Sequence, residues 1–501
     1  MDKSIIIIGG GLTGLAAGCY GRMNGYHTSI FEMHDIAGGV CTGWKRKGYT
    51  IDGAMNTMAG TRPGTAFFKF WEELGATQCW QVLNHDKYIR IEDENGKVFT
   101  MYSDIDRLEQ QMVECAPEDE AVIRECCKTV REFKNLDLPV DKPQELFGVL
   151  DYIKMVKMLP ALMSVRKYGK MSTFDYNQRF KNLFMRQAFS IRPEPEFLDM
   201  PAISILMELG WLDQKDGGYV IGGALALVSY IEQRYLDLGG ELYLKARVEK
   251  VLVENDKVVG IRLADGAEHR GDIVVSAADG HATIFDMLEG KYINDKIRSY
   301  YDNLPLRPGL VYIGLGVARK FDDVPPAVEG LVFPLEKPVT IAGQEHKTLG
   351  VQIFNFDPTL APQGKTVVRV YFHTDYDYWE RLYKEPKRYK AEKKQIADTV
   401  VALLDKRFPG LAAQVEMRDV ATPITWVRYT GNWRGAYEGW MMATETFMLA
   451  MNKTLPGLDN FYMAGQWVTP GGGMPTAAMS GRHTIQIICK KDKKKFVTST
   501  L

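Results

Sequence analysis

Three glycines near the amino terminus have a spacing that can do chemistry: Gly9-x-Gly11-x-x-Gly14, followed by an acid, Glu32. A pyrophosphate needs close approach of the backbone and free N–H groups at the start of a helix. Gly9 permits a tight turn, Gly11 has no side chain to collide with phosphates, and Gly14 lets a helix lie close on the preceding strand. Leu12 and Thr13 open that helix and supply its free N–H groups. Glu32 can accept from ribose hydroxyls, and its charge repels a 2′-phosphate, which argues against NADP. The glycines alone are weak evidence. The β-branched run Ile5–Ile8 before them, a helix from Leu12 to Asn24 stopped by Gly25, and a strand at Ser29–Phe31 complete a βαβ dinucleotide fingerprint.

A second glycine-rich stretch stands near the other end. Phe461–Met463 reads as a short strand, Gly465 and Gly471–Gly473 as a turn, and Pro475 as the first turn of a helix running to about Cys489. Met474 and Pro475 thus open a helix whose positive end faces back over the glycines. A reduced flavin carries negative charge at its N1–C2=O edge, and free N–H groups with a helix dipole stabilise such charge. Gly465 would let the strand end approach the pyrophosphate and ribityl chain, and Gly471–Gly473 would let the backbone lie against the ring.

These segments resemble known FAD enzymes. Ala37-Gly38-Gly39-Val40-Cys41-Thr42 resembles the second glycine doublet of the amine oxidase and phytoene desaturase superfamily, with Val40 where an arginine is usual. Tyr49–Gly53 resembles the segment that runs beside the flavin, although Asp52-Gly53 by itself is equally a turn. Ala464-Gly465, Pro470–Pro475 and Ser480-Gly481 resemble the C-terminal flavin motif of the phytoene desaturase family, which includes carotenoid desaturases and retinol saturases. Thr422-Pro423 and the stretch Tyr429–Ala436 resemble it too. Gln466 takes the place of a frequent acid. The resemblance implies that FAD is held at both ends, that the backbone of Val248 holds adenine, and that flavin N5 performs hydride transfer. It does not extend over residues 104–215. Met55, Asn56, Tyr429 and Trp433 lie in or beside flavin-adjacent segments and are the candidate substrate-side residues, with packing the leading reading of each; for catalysis the candidates are Asn56, Tyr429 and Trp433. His281 and His483 read as ordinary helix or turn residues.

The elements that must position these residues follow from the wider texture. A chain of 501 residues exceeds a single hydrophobic core. Glycine turns and α/β alternation mark residues 1–100, 217–285 and 445–501, whereas 101–216 is helical and 286–444 is mixed. The expected fold is α/β: a discontinuous Rossmann-like FAD-binding domain made of the first three segments, with an inserted α+β substrate-binding domain made of the other two. Strands are expected at Leu242–Leu244, Val248–Glu254, Val258–Leu263, Asp272–Ser276, Leu310–Gly316 and Val367–His373.

Composition excludes some classes. Lys plus Arg total 62 against 63 Asp plus Glu, so nothing indicates a nucleic-acid partner. The seven cysteines show no CxxC or zinc spacing, so no metal site is expected, and the pattern fits a reducing cytoplasm. Adjacent Cys126 and Cys127 read as two thiols. Ile5–Ile8 is too short for a signal-peptide core, and no stretch of about 18 apolar residues predicts a transmembrane helix. One apolar stretch, Leu146 to Leu159 with Phe147, Val149, Leu150, Tyr152, Ile153, Met155, Val156 and Met158, precedes Arg166, Lys167 and Lys170. It reads as a core or lid helix, or as a helix lying in the inner face of a membrane as a peripheral contact.

There is no GxSxG elbow, no HExxH and no second GxGxxG, so a separate NAD(P)H domain is not expected. The leading expectation is an FAD-dependent oxidoreductase of the phytoene desaturase and retinol saturase type, acting on a C–C or C=C bond of a lipophilic polyene, isoprenoid or fatty-acid-like substrate. Its electron acceptor or donor is left open. The alternatives are a flavin amine oxidase and an FAD-scaffolded non-redox isomerase or hydratase.

Overall fold

The computed structural model describes residues 3–134, 140–157, 159–189 and 199–499. Strand Ser4–Ile8 is the centre of a five-stranded parallel sheet, in the order 241–243, 27–31, 4–8, 273–276, 461–463. Its register sets Ile5 opposite Ile273 and Ser4 opposite His27. The Ile5–Ile8 run is continuous because both faces are covered. Ile5 and Ile7 pack with Leu15, Ala16, Tyr20, Ile231 and Ile485 under three helices, Leu12–Met23, Gly223–Asp237 and Met474–Lys491. Ile6 and Ile8 pack on the opposite face with Val251, Val258 and Ile261 of a three-stranded antiparallel layer, Val248–Glu254, Lys257–Leu263 and Glu268–Arg270. Alternate side chains of one strand thus serve two cores, as a buried parallel strand requires.

The helices approach closely because small residues meet. A Cβ on Gly481 would lie 2.5 Å from the Thr13 carbonyl oxygen, so the C-terminal helix crosses the first helix over its own glycine.

A second, seven-stranded sheet is mixed, in the order 415–421, 309–317, 366–374, 344–353, 331–341, 87–92, 98–102. Its outer face packs on the helix Pro386–Arg407 through Val311, Ile313, Val368 and Val370. Its inner face presents Tyr312, Arg369 and Tyr371 to a cavity. The helices between 105 and 213 form a third cluster around Met112, Val130, Phe180 and Leu206.

One boundary differs from the expected division. The strands Lys87–Glu92 and Val98–Tyr102, grouped by sequence with residues 1–100, belong to the seven-stranded sheet. Arg90 pairs parallel with Leu331, a contact that no local pattern announces. The strand forecast at 272–276 and the helices forecast at 224–238 and 475–489 agree with Ile273–Ser276, Gly223–Asp237 and Met474–Lys491. All seven cysteines are free, including the buried pair Cys126 and Cys127.

Candidate functional site

The carboxyl ends of the parallel strands, the two glycine segments and the seven-stranded sheet line one cavity of about 1680 Å³. Ordinary ligand pockets span roughly 300–1,000 Å³, so the space suits a dinucleotide together with a second molecule.

At one end lie Gly9, Gly11, Leu12, Thr13, Glu32, Gly38, Gly39, Val40 and Val248. Gly14 does not line the cavity. A Cβ there would stand 2.0 Å from the Gly9 carbonyl oxygen, so only glycine lets the helix start this close to the strand. Gly11 is different. A Cβ there would meet nothing nearer than Gly38 O at 3.8 Å, because the space above it is the cavity itself. The Gly38 N–H donates to Gly10 O at 2.9 Å, which fixes the second doublet over the first. Glu32 is buried. Its Oε2 accepts from the Gly10 N–H at 2.7 Å and its Oε1 from the His34 N–H at 2.8 Å. Burial raises its carboxyl above the ordinary range, and these N–H groups oppose that.

The C-terminal segment closes on the same space. Gly465, Gln466, Gly473, Met474 and Pro475 all line the cavity. The Gly465 N–H is anchored on Ser480 Oγ at 2.8 Å, which ties the strand end to the C-terminal helix. Gly471, Gly472 and Gly473 all have positive φ (110°, 63° and 86°), a run that side-chain-bearing residues rarely tolerate. This turn aims the helix start at the cavity. No side chain caps that helix or the helix at Leu12, so two positive helix ends face one cavity. An anionic cofactor suits that field, and the open space over Gly11 suits its phosphates. The residues present therefore fit a dinucleotide spanning from Glu32 to Gly473.

The remaining wall combines the segment after Gly53 with the seven-stranded sheet and the helices between 105 and 213. Asn56 and Thr57 line it, while Met55 is fully buried behind them. Arg369 is buried at 3 % exposure. Its guanidinium donates to Gln352 Oε1 at 2.5 Å, to Asn56 Oδ1, and to the Tyr312 hydroxyl at 3.2 Å. Asn56 donates to Glu329 Oε1 at 2.8 Å. Glu208 accepts from Thr57 at 3.1 Å and from Tyr88 at 3.0 Å. Asp52 stands behind this group. It accepts from the Ala54, Met55 and Ala224 N–H groups and so holds the flavin-side segment against the helix Gly223–Asp237. Burial raises the Asp52 carboxyl, and the Arg369 charge works against that rise. Asp279, also on the cavity wall, accepts from the Ala282 and Trp433 N–H groups at 2.8 Å each, and burial pushes its carboxyl up to about 7.

Of the substrate-side candidates, the structure brings Asn56 to the cavity and does not bring Tyr429 or Trp433 there. Tyr429 is 40 % exposed and packs edge-on against His34, under the Arg428 guanidinium. Trp433 stacks on His281 at 4.6 Å, inside an aromatic group with Tyr301, Trp440 and Trp467. His483 does line the cavity. Its Nε2 lies 2.7 Å from Val140 O, and burial lowers the ring to about 4, so the neutral ring donates there. Sequence reasoning missed Glu329, Glu208, Arg369 and Asp279. Arg369 had a signal, a charge inside the apolar run Thr366–Thr374. Glu329 had none, because it precedes a strand whose partners come from distant segments.

The fold and site define an FAD-binding flavoprotein. The chain matches the model of the family described as flavin containing amine oxidoreductase over residues 12–489, and it belongs to that family. It is 25% identical to the chloroplastic prolycopene isomerase of Arabidopsis thaliana over 493 residues, covering 95% of this chain and 81% of that one. It is also 25% identical to a lycopene-forming phytoene desaturase of Paracoccus sp., covering 97% of each chain. An oxidoreductase from Methanosarcina mazei shares the fold, with a TM-score of 0.60, 17% identity, and coverage of 96% of this chain and 100% of that one. The protein is thus a carotenoid-desaturase-like member of the amine oxidase superfamily and an FAD-dependent oxidoreductase. FAD, when bound, supplies a hydride acceptor or donor at N5.

Proposed function

We propose that this enzyme acts on a C–C or C=C bond of a long lipophilic substrate of the polyene or isoprenoid kind, with Gly9, Gly11, Glu32, Gly38, Val248, Gly465 and Gly473 holding the FAD. The observation that carries this is the continuity of the cavity. The dinucleotide segments share it with an apolar wall of Phe147, Leu162, Val165, Ile203, Met207 and Phe447. Such a wall excludes water and gives a hydrocarbon chain its affinity by area.

The helices that flank Phe147 and carry Leu162 support the same reading. Beside Phe147 and Leu162 run two short helices, Val149–Lys157 and Leu159–Gly169. Val149, Leu150, Tyr152, Ile153, Val156, Leu159 and Met163 are all at least half exposed there, with Arg166 and Lys167 in the last turn. Met158 of the sequence pattern lies outside the described residues. No described helix is long and apolar enough to cross a membrane. An exposed apolar face with a basic edge suits insertion into one leaflet, from which an insoluble substrate enters the cavity.

A second reading, isomerisation without net redox change, draws on the alignment with a prolycopene isomerase. Anaerobic titration separates the two. The redox reading expects substrate to bleach the flavin, or reduced flavin to be reoxidised by it, in proportion to product. Product formed with an unchanged flavin spectrum overturns the redox reading and favours isomerisation. Release of ammonia and hydrogen peroxide on adding amines would overturn both.

A further inference from the structure

The cavity wall around Asn56 and Arg369 is polar, and one of its groups lacks a full set of partners. Glu329 is 9% exposed and lines the cavity. Its backbone N–H donates to Tyr88 O at 2.7 Å, and its Oε1 is held by Asn56 at 2.8 Å, so the carboxylate is fixed in place. Oε2 is poorly served. Its two contacts are long, the Tyr371 hydroxyl at 3.4 Å and Gln352 Nε2 at 3.5 Å. The Gln352 amide has two hydrogens and three acceptors: Val328 O at 2.9 Å, Asn56 Oδ1 at 3.3 Å and Glu329 Oε2, which is the farthest. The neighbouring Glu208 differs, since donors reach its oxygens at 3.1 and 3.0 Å. A charged acceptor with spare capacity, nine-tenths buried beside a cavity, calls for a donor from whatever fills that cavity.

We propose that Glu329 Oε2 receives a hydroxyl at one end of the lipophilic substrate, so that the substrate class is a lipid alcohol and not a bare hydrocarbon. The inference rests on the lipophilic-substrate reading above. A hydrocarbon pushed against this wall would strip water from Oε2 and put nothing in its place. A hydroxyl supplies one donor and remains neutral. Neutrality matters because the Arg369 guanidinium already touches Asn56 and Gln352, the two amides that flank Glu329. A second cation would sit near that buried charge.

The test uses the FAD-loaded protein and four probes delivered from cyclodextrin: geranylgeraniol, its methyl ether, the primary amine of the same chain, and the C20 hydrocarbon. Binding is measured by equilibrium dialysis. A hydrogen bond to a charged group predicts that the alcohol binds about ten- to a hundredfold more tightly than the ether. Glu329→Gln should bring that ratio near one while leaving the flavin spectrum and the affinity for the ether unchanged. A wild-type ratio near one overturns the proposal and needs no variant to be read. So does a ratio that survives in Glu329→Gln, or an amine that binds more tightly than the alcohol. If ether and hydrocarbon bind but the alcohol gains nothing, the hydroxyl site falls and the lipophilic cavity stands. If none of the four binds, the lipophilic reading falls and the hydroxyl site with it.

Discussion

The two halves of the cavity are built by different means. The dinucleotide half uses short segments whose own sequence dictates the contact: Gly9 to Gly14, Gly38-Gly39, and Gly465 to Pro475. Two helix starts that no side chain caps face it. The substrate half uses single side chains from separate segments, Gln352 and Arg369 on strands and Asn56 and Glu329 in the loops beside them. Asn56, Glu329, Gln352 and Arg369 meet only because a seven-stranded sheet and the flavin-side segment converge. A backbone-built site tolerates almost no side chain where phosphate must lie. A side-chain-built site can change specificity one residue at a time.

The sharpest way to break this comparison is Gly11→Val. The protein leaves room for its Cβ, with nothing nearer than 3.8 Å, so the fold should survive while the added bulk enters the phosphate space. The purified variant should be colourless, with FAD affinity reduced by at least about a hundredfold, equivalent to roughly 3 kcal/mol. A yellow, stoichiometric variant would remove the pyrophosphate assignment.

A smaller effect is expected at the exposed helix Val149–Lys157. Replacing Leu150, Ile153 and Val156 by serine removes apolar groups that are 74%, 50% and 68% exposed. Sedimentation with anionic vesicles should fall by at least about tenfold, while thermal stability changes by less than about 1 kcal/mol. Unchanged vesicle binding would return this face to a purely structural role.

A further effect, read in stability rather than binding, concerns Asp279, which lines the cavity. Burial raises its carboxyl from 3.8 to about 7, so the folded chain holds the proton more tightly than the unfolded chain. Its contribution to stability is complete below about pH 4 and is lost as the pH rises through about 7. Thermal unfolding followed from pH 4 to 8 should therefore show a decline that is shallower in Asp279→Asn. Parallel curves for the two proteins would show that this carboxyl does not titrate in that window.

How far each half could be read from sequence follows the same division. The Gly9 to Glu32 fingerprint and the Gly471–Pro475 turn were legible because their geometry is local, and the structure sets both on one cavity. Asn56 could be nominated from its neighbours. Tyr429 and Trp433 could be nominated the same way, yet they face an exposed edge and an aromatic cluster, since position in a motif does not determine which way a side chain points. The strands 87–102 looked like part of the first domain, because nothing in a short polar strand names its partner.

By itself the sequence determined the cofactor. The Gly9-x-Gly11-x-x-Gly14 spacing, two uncapped helix starts and Glu32 at the end of the second strand are properties of a few consecutive residues. Only the tertiary structure decided what surrounds the second ligand. Arg369, Asn56 and Glu329 are separated by long stretches of chain and have no mutual pattern; pairing between distant strands puts them on one wall, and burial there leaves a carboxylate oxygen short of a donor.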